Sequence, residues 1–272
     1  MKSLICISLI LGIAVFLSSC GSKNDQQADS GHLVFSFEHY ADGSPLVFDQ
    51  MNYTNAAGNK YEVTEIQYFI SDLTLNGTNG DKVVVNEEKF AHYIDTNLPY
   101  TNSWTITDEI PAGAYESVSM IFGIRGEKNE PFMFTDPPES DMLWPINLGG
   151  DQGGYHYMKL NGFWVNKEDQ RDPFNFHLGV GQERDADNNI TGFVQNWIEM
   201  ELPNSAFELG QGETQAITIR MNVDQWWENP NIYNHDIQGG KIMQNQEAMR
   251  MGAENAKSVF RVSKIGSVEE NL

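Results

Sequence analysis

The chain of 272 residues carries 38 acidic against 17 basic side chains, a formal net charge of −21. That balance disfavours nucleic acid and anionic membrane surfaces as partners and favours solubility and the attraction of cations. With two cysteines and six histidines, the choice of metal-ligating side chains is narrow.

The N-terminus reads as an address. Met1-Lys2 is a positive start, residues 4–16 are an apolar run too short to span a bilayer, and Leu17-Ser18-Ser19 leads into Cys20. Small residues ahead of a cysteine resemble a bacterial lipobox. The resemblance implies a signal peptide over residues 1–19, a lipid on the sulfur of Cys20, and a cell-envelope location, periplasmic or at the outer membrane. An ordinary signal peptide that happens to contain cysteine is the alternative. Residues 20–31 (CGSKNDQQADSG) are polar without apolar periodicity and read as a flexible tether. With Cys6 in the signal and Cys20 acylated, residues 32–272 contain no thiol. Any metal there must be held by His, Asp, Glu, Met or main-chain oxygen. Loss of Lys2 leaves 16 basic residues against the same 38 acidic ones, a net charge of −22.

Residues 32–39 (HLVFSFEH) alternate, with Leu33, Phe35 and Phe37 on one face, and predict a half-buried strand. Residues 61–75 alternate through Val63, Ile66, Tyr68 and Ile70, slip near Ser71, then resume at Leu73; the slip predicts a bulge. Asn79-Gly80 before Val83-Val84-Val85 is a hairpin signal. Residues 89–95 (KFAHYID) form another short strand. Pro111-Ala112-Gly113 marks a tight turn between residues 103–110 and 116–124. The pattern dissolves over residues 125–141, which read as a long surface loop. Two apolar strand-like runs follow, residues 155–165 and 174–180, each carrying a histidine and flanked by glycine. Residues 193–202 are expected to pair back across a polar turn, and residues 211–223 give a further strand. Residues 240–259 repeat apolar side chains at helical spacing, and residues 260–265 close with a short strand. Many strands at short spacing predict one all-β domain over residues 32–272, an antiparallel β-sandwich with a C-terminal helix.

For chemistry, His39, His92, His156 and His177 each fall at or within a predicted strand. His32 lies beside the tether and His235 in a polar loop, and both read as exposed. Neutral imidazoles from strands distant in sequence can converge at one rim of a sandwich and suit copper or zinc. Each could equally be a hydrogen-bonded core histidine. Residues 185–191 (DADNNIT) alternate acid and amide side chains as a calcium loop does. Ile190 stands where such a loop needs glycine, so a solvated hairpin turn is the better reading. Trp144, Trp164, Trp197, Trp226 and Trp227 could line a carbohydrate platform or fill a core. Exposed aromatics binding carbohydrate or protein are therefore the alternative function. No nucleophile elbow, phosphate loop or HExxH motif occurs in the sequence, so a non-enzymatic role is expected.

Several segments together resemble the MbnP-like family of bacterial copper-binding lipoproteins and secreted proteins. They are Phe37-Glu38-His39, residues 53–59, residues 65–75 (EIQYFISDLTL), AHYID at 91–95, IPAGAY at 110–115, residues 141–162, FHLG at 176–179 and VDQWWENPN at 223–231. The resemblance implies an extended β-sandwich, no hydrolytic activity, and copper bound by histidines. By position, His39 and His177 come first, then His92, then His156. In some relatives the family carries a tryptophan oxidised to kynurenine by a dihaem peroxidase-like partner, and by resemblance Trp144 is the candidate here. An outer-membrane copper importer is the other partner implied.

Overall fold

A computed structural model describes residues 29–268; the expected signal peptide, Cys6, Cys20 and most of the expected tether lie outside them. In chain order the principal elements are β1 (Ser30–Ala41), β2 (Lys60–Gly77), β3 (Ala91–Asp95), β4 (Gly113–Phe122), β5 (Met158–Val165), β6 (Arg171–Leu178), β7 (Ile198–Glu201), β8 (Thr214–Asn222), the helix α1 (Gln246–Val259) and β9 (Phe260–Ser267). They form two sheets. The first runs β9-β8-β1, and the second runs β6-β5-β2-β4-β7 with β3 also paired to β2. This is the all-β sandwich with a C-terminal helix that the alternation implied. One pairing is parallel: β1 and β8 run side by side from His32↔Thr214 to Tyr40↔Asn222. A parallel pair needs a crossover rather than a hairpin, and here the whole second sheet lies between the two strands.

Strand alternation builds the central core. Leu33, Phe35 and Phe37 of β1 are buried and face Tyr68 of β2, Met158 and Leu160 of β5, and Phe174, Phe176 and Leu178 of β6 within one cluster. Trp226 and Trp227, both 0% exposed, plug one end of it, Trp227 against Tyr61, Phe174 and Phe176. The expected bulge in β2 is present: the register with β4 shifts between Ser71 and Thr74, and Asp72 takes φ 47°. Its carboxylate is held by Lys128 and Arg125. The Asn79-Gly80 hairpin also forms, with Gly80 at φ 89° and Asn76 opposite Lys82.

Two elements end differently from expectation. Helix α1 starts at Gln246 rather than near residue 240, because the Asn245 side chain caps it by accepting from Ala248 N at 3.1 Å. The preceding residues pair as a strand would, with Asn175 N donating to Gly240 O at 2.6 Å. Residues 193–202 are not one strand. The hairpin Gly181–Arg184/Ile190–Val194 ends first, and β7 then joins β4 instead. The break falls at Asn196, whose amide donates to Gly179 O and Val194 O.

The second sheet is covered on both faces. Phe69 points away from the central core, and a second cluster of Phe69, Tyr93, Ile124, Met142 and Tyr155 closes over it with Met133, Phe134 and Leu143. Most of that cover comes from the irregular segment 125–157, so the outer face of the sheet carries a roof.

Candidate metal site

On β6 the residues facing the central core are Phe174, Phe176 and Leu178, so period-two alternation turns His177 to the outer face. His177 pairs in register with Lys159 of β5, and its Nε2 lies 2.8 Å from Asn161 Oδ1. The roof supplies the second imidazole. Leu143 and Tyr155 form an isolated antiparallel bridge, in which Trp144 N donates to Gly154 O and His156 N to Met142 O. Gly154 makes this crossing possible: it sits at φ 52°, and a Cβ there would lie 2.2 Å from Asn129 O. The bridge sets the His156 ring against Trp144, centroids 4.6 Å apart, and edge-on to His177 at 5.3 Å and 85°.

Trp144 is fully buried in a slot built from glycines. A Cβ on Gly149, Gly153 or Gly179 would come within 2.6, 3.0 or 2.4 Å of the indole. Its Nε1 is sealed from water without a hydrogen-bond partner, which is uncommon for a buried donor. His156 Nδ1 lies 2.9 Å from Met142 O. A carbonyl only accepts, so this nitrogen carries the proton and Nε2 is the basic one. Burial pushes the His156 imidazole down to about 3, aided by the charge of Lys159 and by His177 and opposed by the Met142 and Leu143 carbonyls. Burial followed by Lys159 lowers His177 to about 4. Both rings are therefore neutral near pH 7, the form that binds a metal.

The pair suits a late first-row ion in chemistry and spacing. An imidazole nitrogen binds such an ion at about 2.0 Å, which places the centroids of two rings sharing it roughly 5–6 Å apart. Among the described residues no group of three or more His, Cys, Asp or Glu side chains converges. The candidate site is thus a pair of neutral imidazoles beside an indole.

The family model of MbnP matches residues 30–246, a span that includes both sheets' principal strands up to β8 as well as Trp144, His156 and His177. The chain belongs to the MbnP family. Among solved structures, MbnP from Methylosinus trichosporium is similar at 11% identity and a TM-score of 0.49, over 88% of this chain and 99% of that one. No curated protein matches the chain.

Within this MbnP-family fold the other histidines lie elsewhere. His39, on β1, packs edge-on to Tyr68 at 5.7 Å inside the sandwich. Its Nε2 is sealed without a partner, and burial lowers it to about 4. Since Tyr68 faces the core and His177 the roof, the body of the second sheet separates His39 from His177, and the two do not share a site. His92 is stacked between Phe37 at 5.6 Å and Trp104 at 5.0 Å, with Nε2 2.8 Å from Thr101 O. That is a packed, hydrogen-bonded ring away from the pair. His235 is not exposed as expected but 1% exposed, ringed by Trp164, Phe174, Trp227 and Tyr233. Asn55 Nδ2 lies 3.3 Å from its Nδ1, and burial lowers it to about 3. The turn at residues 185–189 spends the Asp185 carboxylate on its own Asp187 N, Asn189 N and Asn189 Nδ2, as a hairpin turn does. Of the tryptophans, Trp144, Trp226 and Trp227 are fully buried, Trp104 and Trp164 nearly so, and Trp197 packs partly buried against the core. The large exposed aromatics among the described residues are Tyr100 and Phe132.

Proposed function

We propose that this protein binds copper at the His156–His177 pair, beside Trp144, and serves in copper capture or delivery at the cell envelope rather than in catalysis. Membership of the MbnP family supports a copper-associated role. The observation that carries the finer reading is the edge-to-face pair of neutral imidazoles at 5.3 Å under the roof. Copper here is cargo, and the chain's part is to present basic ring nitrogens from a rigid strand and a glycine-built bridge. Lipidation of Cys20 would hold the domain at a membrane on the tether. The partners consistent with that location are a dihaem peroxidase-like enzyme acting on Trp144 and an outer-membrane importer receiving the metal.

The test is titration of the purified mature protein with Cu(I) and Cu(II). One equivalent should bind more tightly than ~10 µM, about −7 kcal/mol. The His156→Ala/His177→Ala double variant should lose it while keeping its circular dichroism spectrum, and His39→Ala should retain it. Copper content unchanged in the double variant would remove these two residues from the site. Oxidation of Trp144 belongs to the same reading: in protein isolated from its own host, a mass change confined to the peptide holding Trp144 is expected.

A further inference from the structure

The same site has a support that determines which nitrogen of His177 is available, and this inference rests on the two-imidazole reading. Glu65 of β2 and Asn161 of β5 are direct partners across the sheet. Their side chains, with His177 and Asn97, form one directed chain of hydrogen bonds. Asn97 Nδ2 donates to Glu65 Oε1 at 2.8 Å, Asn161 Nδ2 donates to Glu65 Oε2 at 3.0 Å, and Asn161 Oδ1 lies 2.8 Å from His177 Nε2.

A carboxylate accepts at both oxygens, so Glu65 draws the NH2 of Asn161 toward itself. The amide oxygen must then face the imidazole. An amide oxygen only accepts, so a neutral His177 meets it with Nε2–H, which leaves the lone pair on Nδ1. At His156 the Met142 carbonyl imposes the opposite choice, Nδ1–H with Nε2 basic. Lys159, the cation beside the pair, is already directed at Asp141 O at 2.7 Å and does not compete for Asn161.

We propose that Glu65, acting through Asn161, is the positioning residue that holds His177 as its Nε2–H tautomer, so that a metal enters on Nδ1 of His177 and Nε2 of His156. Without the carboxylate, Asn161 is free to turn its NH2 toward the ring. The ring would then have to accept at Nε2 and place its proton on Nδ1, blocking the nitrogen that the metal needs. Outer hydrogen-bond partners of ligating histidines commonly change metal affinity by about 10–100-fold when removed.

Long-range 1H–15N correlation spectra of the metal-free mature protein near neutral pH read the tautomer directly. The expected result is Nε2–H for His177 and Nδ1–H for His156 in the unaltered protein. Mixed or Nδ1–H signals are expected for His177 in Glu65→Ala and Asn161→Leu, and no change in Asn97→Ala, which leaves the Glu65–Asn161 bond intact. Cu(I) affinity should fall about 10–100-fold in the first two variants and hold in the third. An Nδ1–H signal for His177 in the unaltered protein overturns the relay, as does an unchanged tautomer in both Glu65→Ala and Asn161→Leu. If the unaltered protein binds no copper at all, the copper reading fails, and the spectra of the metal-free variants still decide the relay.

Discussion

Lowering the pH of the metal-free protein from 7.5 to 5.5 should remove about 5 kcal/mol of folding stability. Burial lowers five imidazoles, His92 among them, and four of them far: His39 and His177 to about 4, His156 and His235 to about 3, from an ordinary value of 6.5. Because the folded values lie below the unfolded one, the unfolded chain takes up protons first as the pH falls. The stabilisation is complete above 6.5 and is lost between 6.5 and the folded values. Each ring contributes about 1.4 kcal/mol per pH unit within that window, so four rings carried one unit below 6.5 cost about 5 kcal/mol. A domain of ordinary stability has roughly 5–15 kcal/mol in total, so the loss brings the fold close to its limit. Urea unfolding followed by tryptophan fluorescence reads this directly. With an m-value of about 3 kcal/mol/M, the midpoint should fall by about 1.7 M between the two pH values. His235→Gln should flatten the pH slope by about one quarter, whatever its effect on stability at pH 7.5. A midpoint that does not move between pH 7.5 and 5.5 would show that the rings are solvated or already charged in the native state, and the burial reasoning would fall with it.

The remaining expectations concern the site and the anchor. Gly179→Ala would place a Cβ 2.4 Å from the Trp144 ring. It should cost about 1–3 kcal/mol by thermal unfolding and weaken copper binding, since the indole packed against His156 would be pushed out of its slot; unchanged near-ultraviolet circular dichroism would refute that displacement. Cys20→Ala should move the protein from the membrane fraction to the soluble fraction, and continued membrane association after high-salt washing would argue against the lipid. Copper loss in the double histidine variant and the mass change at Trp144 complete the set.

Much of the fold was legible from local pattern. Alternation located β1 and β2, the slip at Ser71 became the bulge at Asp72, and Asn79-Gly80 turned the expected hairpin. These are properties of a few consecutive residues: a side-chain period of two, a lost beat in it, and a dipeptide that tolerates positive φ. The absence of thiols after Cys20 likewise restricted the ligand chemistry without any structure.

Which histidines meet was decided only by the tertiary structure. Alternation says that His177 opposes Leu178 across the strand, but it does not say that the outer face would be roofed by residues 125–157. That roof, whose pattern dissolves over residues 125–141 and whose expected strand at residue 155 begins only at Met158, carries Trp144 and His156 down to His177, while the sheet itself keeps His39 on its other side. His235 makes the same point from a polar stretch whose neighbours predict exposure. Its burial comes from Trp164, Phe174 and Trp227, and from Asn55, 180 residues away in the chain. Local sequence determines the direction of a side chain relative to its own strand, whereas the contents of each face depend on long-range packing that no window of neighbouring residues contains.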